Sequence, residues 1–457
     1  MLPLLTRHFR CFDLPCDFTV DGEVSAEPGF FRFGAGAICY GRTSTGHLSH
    51  LPGGQLDDVS NHVTAESSEV RLPFDPEEAV ENLREERYAS DCAPDGQAEG
   101  IVRSIYYLVR PILPLWVRKH LQRAHLRGWE KLTFPNWPVD RTADDLLQRF
   151  LMLALRASGM DSIPFIWFWP DGARACAIMT HDVESDAGKR FCSRLMDIND
   201  SFGVPASFQI VPEKRYSVEP QLLAEIKNRG FEVNIHDLNH DGRLFQDRAE
   251  FERRIQRIHQ YAHEFGAAGF RSAVLYRNPA WLGLLQFEYD MSIPNVAHLD
   301  PQRGGCCTVM PYFIDGLLEL PLTATQDHSL FHILNDFTMD LWDRQTKFIL
   351  QQNGLMSFIV HPDYVIAKRN QDAYRNLLGL LRELRAKSGV WMALPKEVNR
   401  WWRQRDQMIL KRNGESWTVE GEGSERARVA MASVQNDRLV YSLADQPTTT
   451  AEIARGT

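Results

Sequence analysis

From residue 173 to about residue 405, short apolar runs alternate with longer stretches whose apolar residues recur every three or four positions. Runs at 174–180, 206–211, 231–235, 268–272, 289–293, 316–320, 355–360 and 389–393 read as strands. They are short, rich in small, β-branched or aromatic residues, and bounded by turn signals. Stretches at 187–202, 218–229, 247–265, 334–352 and 371–387 read as the helices between them. Such alternation places the strands in a mainly parallel sheet with helices packed on it, the α/β class. Seven or eight units in about 230 residues favour a closed or nearly closed barrel over an open sheet.

The flanks are patterned differently. Up to about residue 95 the chain reads as short strands and turns, clearest at 29–40, where apolar and small residues alternate. Residues 134–140 form a proline-fixed aromatic turn, and 144–155 a helix with an acidic start and one apolar face. The aromatic run 163–170 reads as core or inter-domain packing. After residue 410, short strands at 417–420, 428–432 and 438–442 are expected to pair with the N-terminal β segment, and the tail from 446 to fray. The chain thus divides into an accessory region (1–170), a central domain (171–410) and a C-terminal β segment with tail (411–457).

Hydrophobic content of 44% and charged content of 24% are those of a soluble globular protein. A net charge of -9 and the lack of any nucleic-acid motif argue against nucleic-acid binding. The eight cysteines form no CxxC pair, so neither a zinc knuckle nor a disulfide framework is indicated, and adjacent Cys306 and Cys307 read as reduced thiols. The N-terminus lacks an uninterrupted apolar h-region, and no run approaches the roughly 20 apolar residues of a membrane span. These features point to a cytoplasmic protein. Charge nevertheless inverts sharply along the chain: 51–100 holds 13 acidic and 3 basic residues, whereas 101–131 holds seven Lys/Arg and one Glu. The basic, aromatic segment 103–127 suits either peripheral contact with an anionic membrane face or helices packed on the central domain; Pro111 and Pro114 argue against one continuous amphipathic helix.

The chemistry gathers at the ends of predicted strands. The first run closes in Thr180-His181-Asp182-Val183-Glu184, and parallel α/β architectures build active sites from groups delivered there. The third closes in His236, with His240 four positions on. One helical turn would bring both imidazoles to one face, a common way to present two nitrogens to a metal. Two histidines and a carboxylate form a frequent ligand set for catalytic zinc. Arg271 ends the fourth run, where it can orient or stabilise a carboxylate. His361 ends the strand 355–360 and can act as general acid toward a leaving amine. Asp327, after another strand, suits either a substrate-facing role or a loop cap.

The series Thr180-His181-Asp182, His236-x3-His240, Gly269-Phe270-Arg271 and Ile359-Val360-His361 resembles the polysaccharide deacetylase family, the NodB-homology or carbohydrate esterase 4 group, in order and spacing over about residues 171–395. The resemblance implies a distorted (β/α) barrel of about seven strands, a divalent metal, Zn2+ or else Co2+, Ni2+ or Mn2+, and hydrolytic removal of acyl groups, usually N-acetyl, from a carbohydrate or glycoconjugate, as in exopolysaccharide or cell-envelope glycan synthesis. It implies Asp182 as base, Glu184, His236 and His240 as metal ligands, and His361 as acid, with Arg271 supporting catalysis. The family's paired aspartates are here Asp182 and Glu184; i and i+2 of a strand share a face, which supports splitting base and ligand between them, and the alternative makes Asp182 the ligand. The family's proline beside Arg271 is absent, Ser272-Ala273 following instead. Its aspartate-tryptophan motif is not evident, leaving Asp290, with Asp327, as a candidate substrate contact. Two further readings remain: an amidohydrolase of the same fold acting on a non-sugar amide such as a small cyclic ureide, and a non-catalytic glycan-binding or scaffold module.

Overall fold

Each of the eight runs between residues 173 and 405 forms a strand. The computed structural model describes residues 2–89, 124, 126–414 and 416–444. The central sheet contains β1 (Ala175–Val183), β2 (Ala206–Ile210), β3 (Glu232–His236), β4 (Gly269–Arg271), β5 (Tyr289–Asp290), β6 (Tyr312–Ile314), β7 (Leu317–Glu319), β8 (Leu355–Ile359) and β9 (Val390–Ala393). Its order is β6-β7-β5-β4-β3-β2-β1-β8. All pairs are parallel except β6 with β7. The C-terminal half of β1 pairs with β2 and its N-terminal half with β9, while β8 lies along the other side. Every residue of β1, β2, β3 and β8 is buried. Burial on both faces explains why these segments read as nearly continuous apolar runs.

The sheet curls without closing through a regular ladder. Between β7 and β8 the gap is spanned by irregular chain: Ala324 N donates to Ser357 O at 3.1 Å and Leu355 N to Val309 O at 2.8 Å. The result is a distorted barrel of eight parallel strands with one antiparallel edge strand. Around it pack α1 (Asp186–Phe202), α2 (Pro220–Asn228), α3 (Arg248–Phe265), α4 (Asp340–Gln351) and α5 (Lys368–Ser388), while α6 (Pro395–Gln407) follows β9. Ser185 caps α1 by accepting from Gly188 N, and the chain leaves that helix through Gly203 at φ 63°, a conformation that favours glycine. The helix expected from 334 begins only at Asp340. Residues Ser329–Leu334 instead form a π-helical turn, closed by Asn335 at φ 53°.

The N-terminal region lies against one side of this barrel. It holds a three-stranded sheet (Asp17–Val20, Glu69–Leu72, Thr64–Glu66), a hairpin (Gly29–Arg32 with Ile38–Gly41) and the helix Thr142–Ala157, which buries Leu146, Leu147, Phe150, Leu151, Ala154 and Leu155. It grips the loops beyond the strand ends through buried polar contacts. Glu86 pairs with Arg277, Tyr88 Oη donates to Gly305 O at 2.6 Å, Asp140 N donates to Asn295 Oδ1 at 2.8 Å, and Asp144 accepts from Thr308 Oγ1 and Val309 N. The C-terminal strands do not join the β-rich segment 1–95. Val429–Gln435 pairs with Arg438–Leu443 and with Ser162–Ile166, whereas Ser416–Glu420 forms a separate hairpin with Ile409–Asn413. The aromatic run accounts for this choice: Phe165, Trp167, Phe168 and Trp169 are buried there and supply the apolar wall that the added strands cover.

The seven cysteines among the described residues are free and buried, Cys306 and Cys307 included. Among the described residues no helix is long and apolar enough to cross a membrane. Of the basic segment 103–127, residues 103–123 and 125 lie outside the described residues, as does the tail from 445.

Candidate metal and acid–base site

The alternation of β1 sorts its terminal residues onto two faces. His181 turns outward toward the helices: its Nδ1 lies 3.0 Å from Val360 O and its Nε2 2.9 Å from Asn199 Nδ2. Thr180 and Asp182 turn inward and both meet Arg271 at the end of β4. Arg271 Nη1 donates to Thr180 Oγ1 at 2.6 Å and to Asp182 Oδ1 at 2.8 Å, and its Nε to Met291 O at 3.0 Å. The guanidinium is fully buried. Burial opposes ionisation of Asp182, but the charge of Arg271, helped by His236 and His361, outweighs it and holds the carboxyl below its ordinary range.

Glu184, just past the strand, faces three histidines. Its Oε1 lies 2.8 Å from His240 Nε2, 3.3 Å from His361 Nε2 and 3.6 Å from His236 Nε2. Burial opposes its ionisation too, yet His240 and His361 hold it well below the carboxylate range. His236 ends β3, and its Nδ1, 3.2 Å from Arg271 O, donates there, which turns Nε2 toward Glu184 and leaves it for ligation once its proton is lost. His236 and His240 do not share a helical turn. The chain bends after β3 with Asp237 and His240 each at φ 55°, a left-handed conformation costing about 1–3 kcal/mol for such residues. That bend, rather than helical periodicity, returns His240 to within 4.8 Å ring separation of His236.

Ligand atoms of Glu184, His236 and His240 all lie within 4.8 Å of one another. His236 Nε2 and His240 Nδ1 are buried without a hydrogen-bond partner, and His240 Nε2 meets the Glu184 carboxylate. Four donors arranged tetrahedrally about 2.0–2.1 Å from zinc stand roughly 3.3 Å apart, and Glu184 Oε1 lies at 2.8 and 3.6 Å from the two imidazole nitrogens. Donor chemistry, spacing and unpaired nitrogens therefore fit a divalent ion. Asp182 is placed less favourably for ligation, since its Oδ1 is held by Arg271 and its Oδ2 lies 3.7 Å from His236 Nε2.

His361 completes the cluster from the end of β8. Its Nδ1 lies 2.6 Å from Asp327 Oδ1, its backbone N donates to Asp327 Oδ2 at 2.8 Å, and the ring of Tyr364 packs 4.7 Å away. Burial disfavours the imidazolium, but Asp327 and Glu184 prevail and raise it well above the usual histidine value. Asp327 therefore does not face substrate. Its carboxylate is fully buried and taken up by His361 and by His328 N. Asp290 is not brought to the cluster either: it accepts from Ser292 N and Oγ and shares a hydrogen bond with Glu319 inside the sheet. The pairing of Asp327 with His361 and that of Thr180 with Arg271 escaped the sequence reading. The available signal was partial: Arg271 ends β4 and His361 follows β8, but Thr180 lies within β1 and Asp327 lies eight residues after β7. Of the cluster, Glu184 is the most open, its side chain 16% exposed against 1–5% for the others.

Among solved structures, the chain is similar to one from Mycobacterium smegmatis described as a polysaccharide deacetylase, at 19% identity over 55% of this chain and 98% of that chain, with a TM-score of 0.44. It is similar to the Puue allantoinase at 13% identity over 51% and 92%, TM-score 0.41. A chain from Pseudomonas aeruginosa PAO1 described as a polysaccharide deacetylase gives 14% identity over 51% and 93%, TM-score 0.41. No family model matches the chain, and no curated protein matches it.

Proposed function

We propose that this chain is a divalent-metal-dependent hydrolase that removes an acyl group, N-acetyl above all, from an amino sugar of a carbohydrate or glycoconjugate. The observation that carries the reaction type is the convergence on Glu184 of two buried histidines and, beside them, of two oriented proton-transfer groups, Asp182 held by Arg271 and His361 held by Asp327. The sugar substrate rests on the order and spacing of the four motifs in the sequence.

Glu184, His236 and His240 would hold the ion, which supplies Lewis acidity toward an acyl carbonyl and acidity to water. Asp182, kept ionised by Arg271, takes a proton from the attacking water as its oxygen bonds to the acyl carbon. Arg271 does not touch the reacting atoms; it fixes the Asp182 carboxylate and leaves its second oxygen free for the proton. His361 donates from Nε2 to the departing nitrogen as the carbon–nitrogen bond breaks, because Asp327 engages Nδ1 and maintains the charged ring. The acid takes the hydroxyl of water and the amine takes the proton of His361; the second water proton, held on Asp182, leaves to solvent as His361 is reprotonated, so the net reaction is amide plus water to acid plus amine.

The test is acetate release from N-acetylated amino sugars and their oligomers by protein loaded with Zn2+, Co2+ or Ni2+, alongside metal analysis. Acetate release that is abolished by chelation and restored by metal is expected. Stoichiometric metal binding with turnover only of a cyclic ureide would replace the sugar substrate, and no metal binding at all would remove the proposal.

A further inference from the structure

A second polar cavity lies away from this cluster, between the helices Pro3–Phe9 and Pro76–Arg84, the start of β6 and the end of α6. Its cavity volume is about 50 Å3, and it shares no lining residue with the carboxylate–histidine site. Arg7, Arg84 and Arg405 contribute to its walls. Arg84 is the unusual member. It is 9% exposed, its Nε is buried with no hydrogen-bond partner, and no carboxylate among the described residues forms an ion pair with it. Its guanidinium lies over the Tyr312 ring, 5.3 Å from the centroid.

Burial works against the charge of Arg84, and Asp144 and Glu81 favour it from a distance without forming an ion pair with it. Arg405 spends its donors on backbone carbonyls of His8, Phe9, Ile166 and Trp167, so hydrogen bonds satisfy it while no acid pairs with it. Burial, and then the charge of Arg10, pull it down to about 9. His8 is driven well below its usual value by burial and next by Arg84 and Arg405, which leaves it neutral. The acids of the lining are answered from outside the cavity: Glu85 lies 2.9 Å and Glu81 3.9 Å from Arg87, and Asp406 3.7 Å from Arg10. The lining as a whole balances three arginines with three acids, but its two most buried cations, Arg84 and Arg405, form no ion pair among the described residues. A buried, unpaired guanidinium is costly, and an oxyanion able to accept two of its N–H groups at once, a carboxylate or a phosphate, is the group that relieves the cost.

We propose that this cavity binds a small molecule through a phosphate or carboxylate head group, with Arg84 as its principal partner and Arg7 at the mouth. The site is independent of the reaction assigned to the metal cluster. Calorimetric titration of the full-length protein with inorganic phosphate and with succinate tests it. Saturable binding of at least one probe is expected, and the preferred probe identifies the head group. Arg84→Gln, checked for folding by circular dichroism, is expected to weaken that binding at least about tenfold, the loss of one charge-assisted contact. His240→Ala, which would remove an anion held at the metal cluster, should leave the binding intact. Should Arg84→Gln not fold, Arg7→Glu, an exposed change that places a negative charge at the mouth, takes its place with the same expected direction. No saturable binding of either probe, or binding lost in His240→Ala but unchanged in the arginine variant, overturns the proposal.

Discussion

Asp327→Asn isolates the contribution of one carboxylate to the proton donor. In the folded protein burial works against a charged His361, and the charges of Asp327 and Glu184 reverse the outcome. A cation on Glu184 would neutralise much of its pull, which leaves Asp327, 2.6 Å from Nδ1, as the main support of the imidazolium. A hydrogen bond to a charged group contributes about 1.5–3 kcal/mol, and about 1.4 kcal/mol corresponds to one pKa unit. Asparagine keeps the size and an acceptor oxygen but not the charge, so His361 should lose its proton about one to two pH units lower. His361 donates only when protonated, so its deprotonation sets the alkaline limb of the rate profile. That limb should move down in pH by the same amount, with activity at neutral pH falling and the acidic side nearly unchanged. The assay is kcat/KM for acetate release against pH, for wild type and variant at equal metal loading. An alkaline limb that stays in place, whatever the drop in rate, would refute the assignment of Asp327 and His361 as the donor pair.

Asp182→Asn should retain the metal and lose about 10²–10⁴-fold in rate, whereas Glu184→Gln and His236→Ala should lose metal first, as read by metal analysis; the reverse pattern would make Asp182 the ligand. Arg271→Met should destabilise the fold by about 3–5 kcal/mol in denaturant titration, because it leaves Asp182 buried without its partner, while adding Asp182→Leu should recover part of that loss. Divalent-ion affinity should fall about tenfold per pH unit on the acid side. Burial lowers His236, but Asp182 and Glu184 outweigh it and raise it above the ordinary histidine value, so its proton must leave before Nε2 can ligate; competition with a fluorescent chelator across neutral pH reads the slope.

Legibility in the sequence followed the range of the interaction. Parallel strands buried on both faces produce apolar runs that need no partner to be recognised, and all eight were visible. The residues at their ends were visible for the same reason, since a strand that stops at His236, or two residues before His361, delivers that side chain to the rim. Geometry between rims was less legible. The spacing of His236 and His240 suggested a helical turn, but left-handed residues at Asp237 and His240 achieve the same approach, and nothing in the spacing separates the two routes. Asp327 and His361 are 34 positions apart and meet across the one seam of the barrel that lacks a regular ladder, so no strand register linked them in advance.

Asp290 and the C-terminal strands show the complementary difficulty. Asp290 does end a strand, yet that strand is two residues long, and Ser292 and Glu319 take its carboxyl before it reaches the rim. Position at a strand end is therefore insufficient: a carboxylate becomes part of the site only if no nearer donor claims it. The same holds for strand pairing. An alternating pattern says that Val429–Gln435 is a strand but leaves its partner open. The partner was decided by Ser162–Ile166 and the aromatic residues after it, whose burial required a cover that the N-terminal sheet does not provide. Local pattern fixes what an element is, and competition among the finished elements for donors and apolar surface fixes where its side chains go.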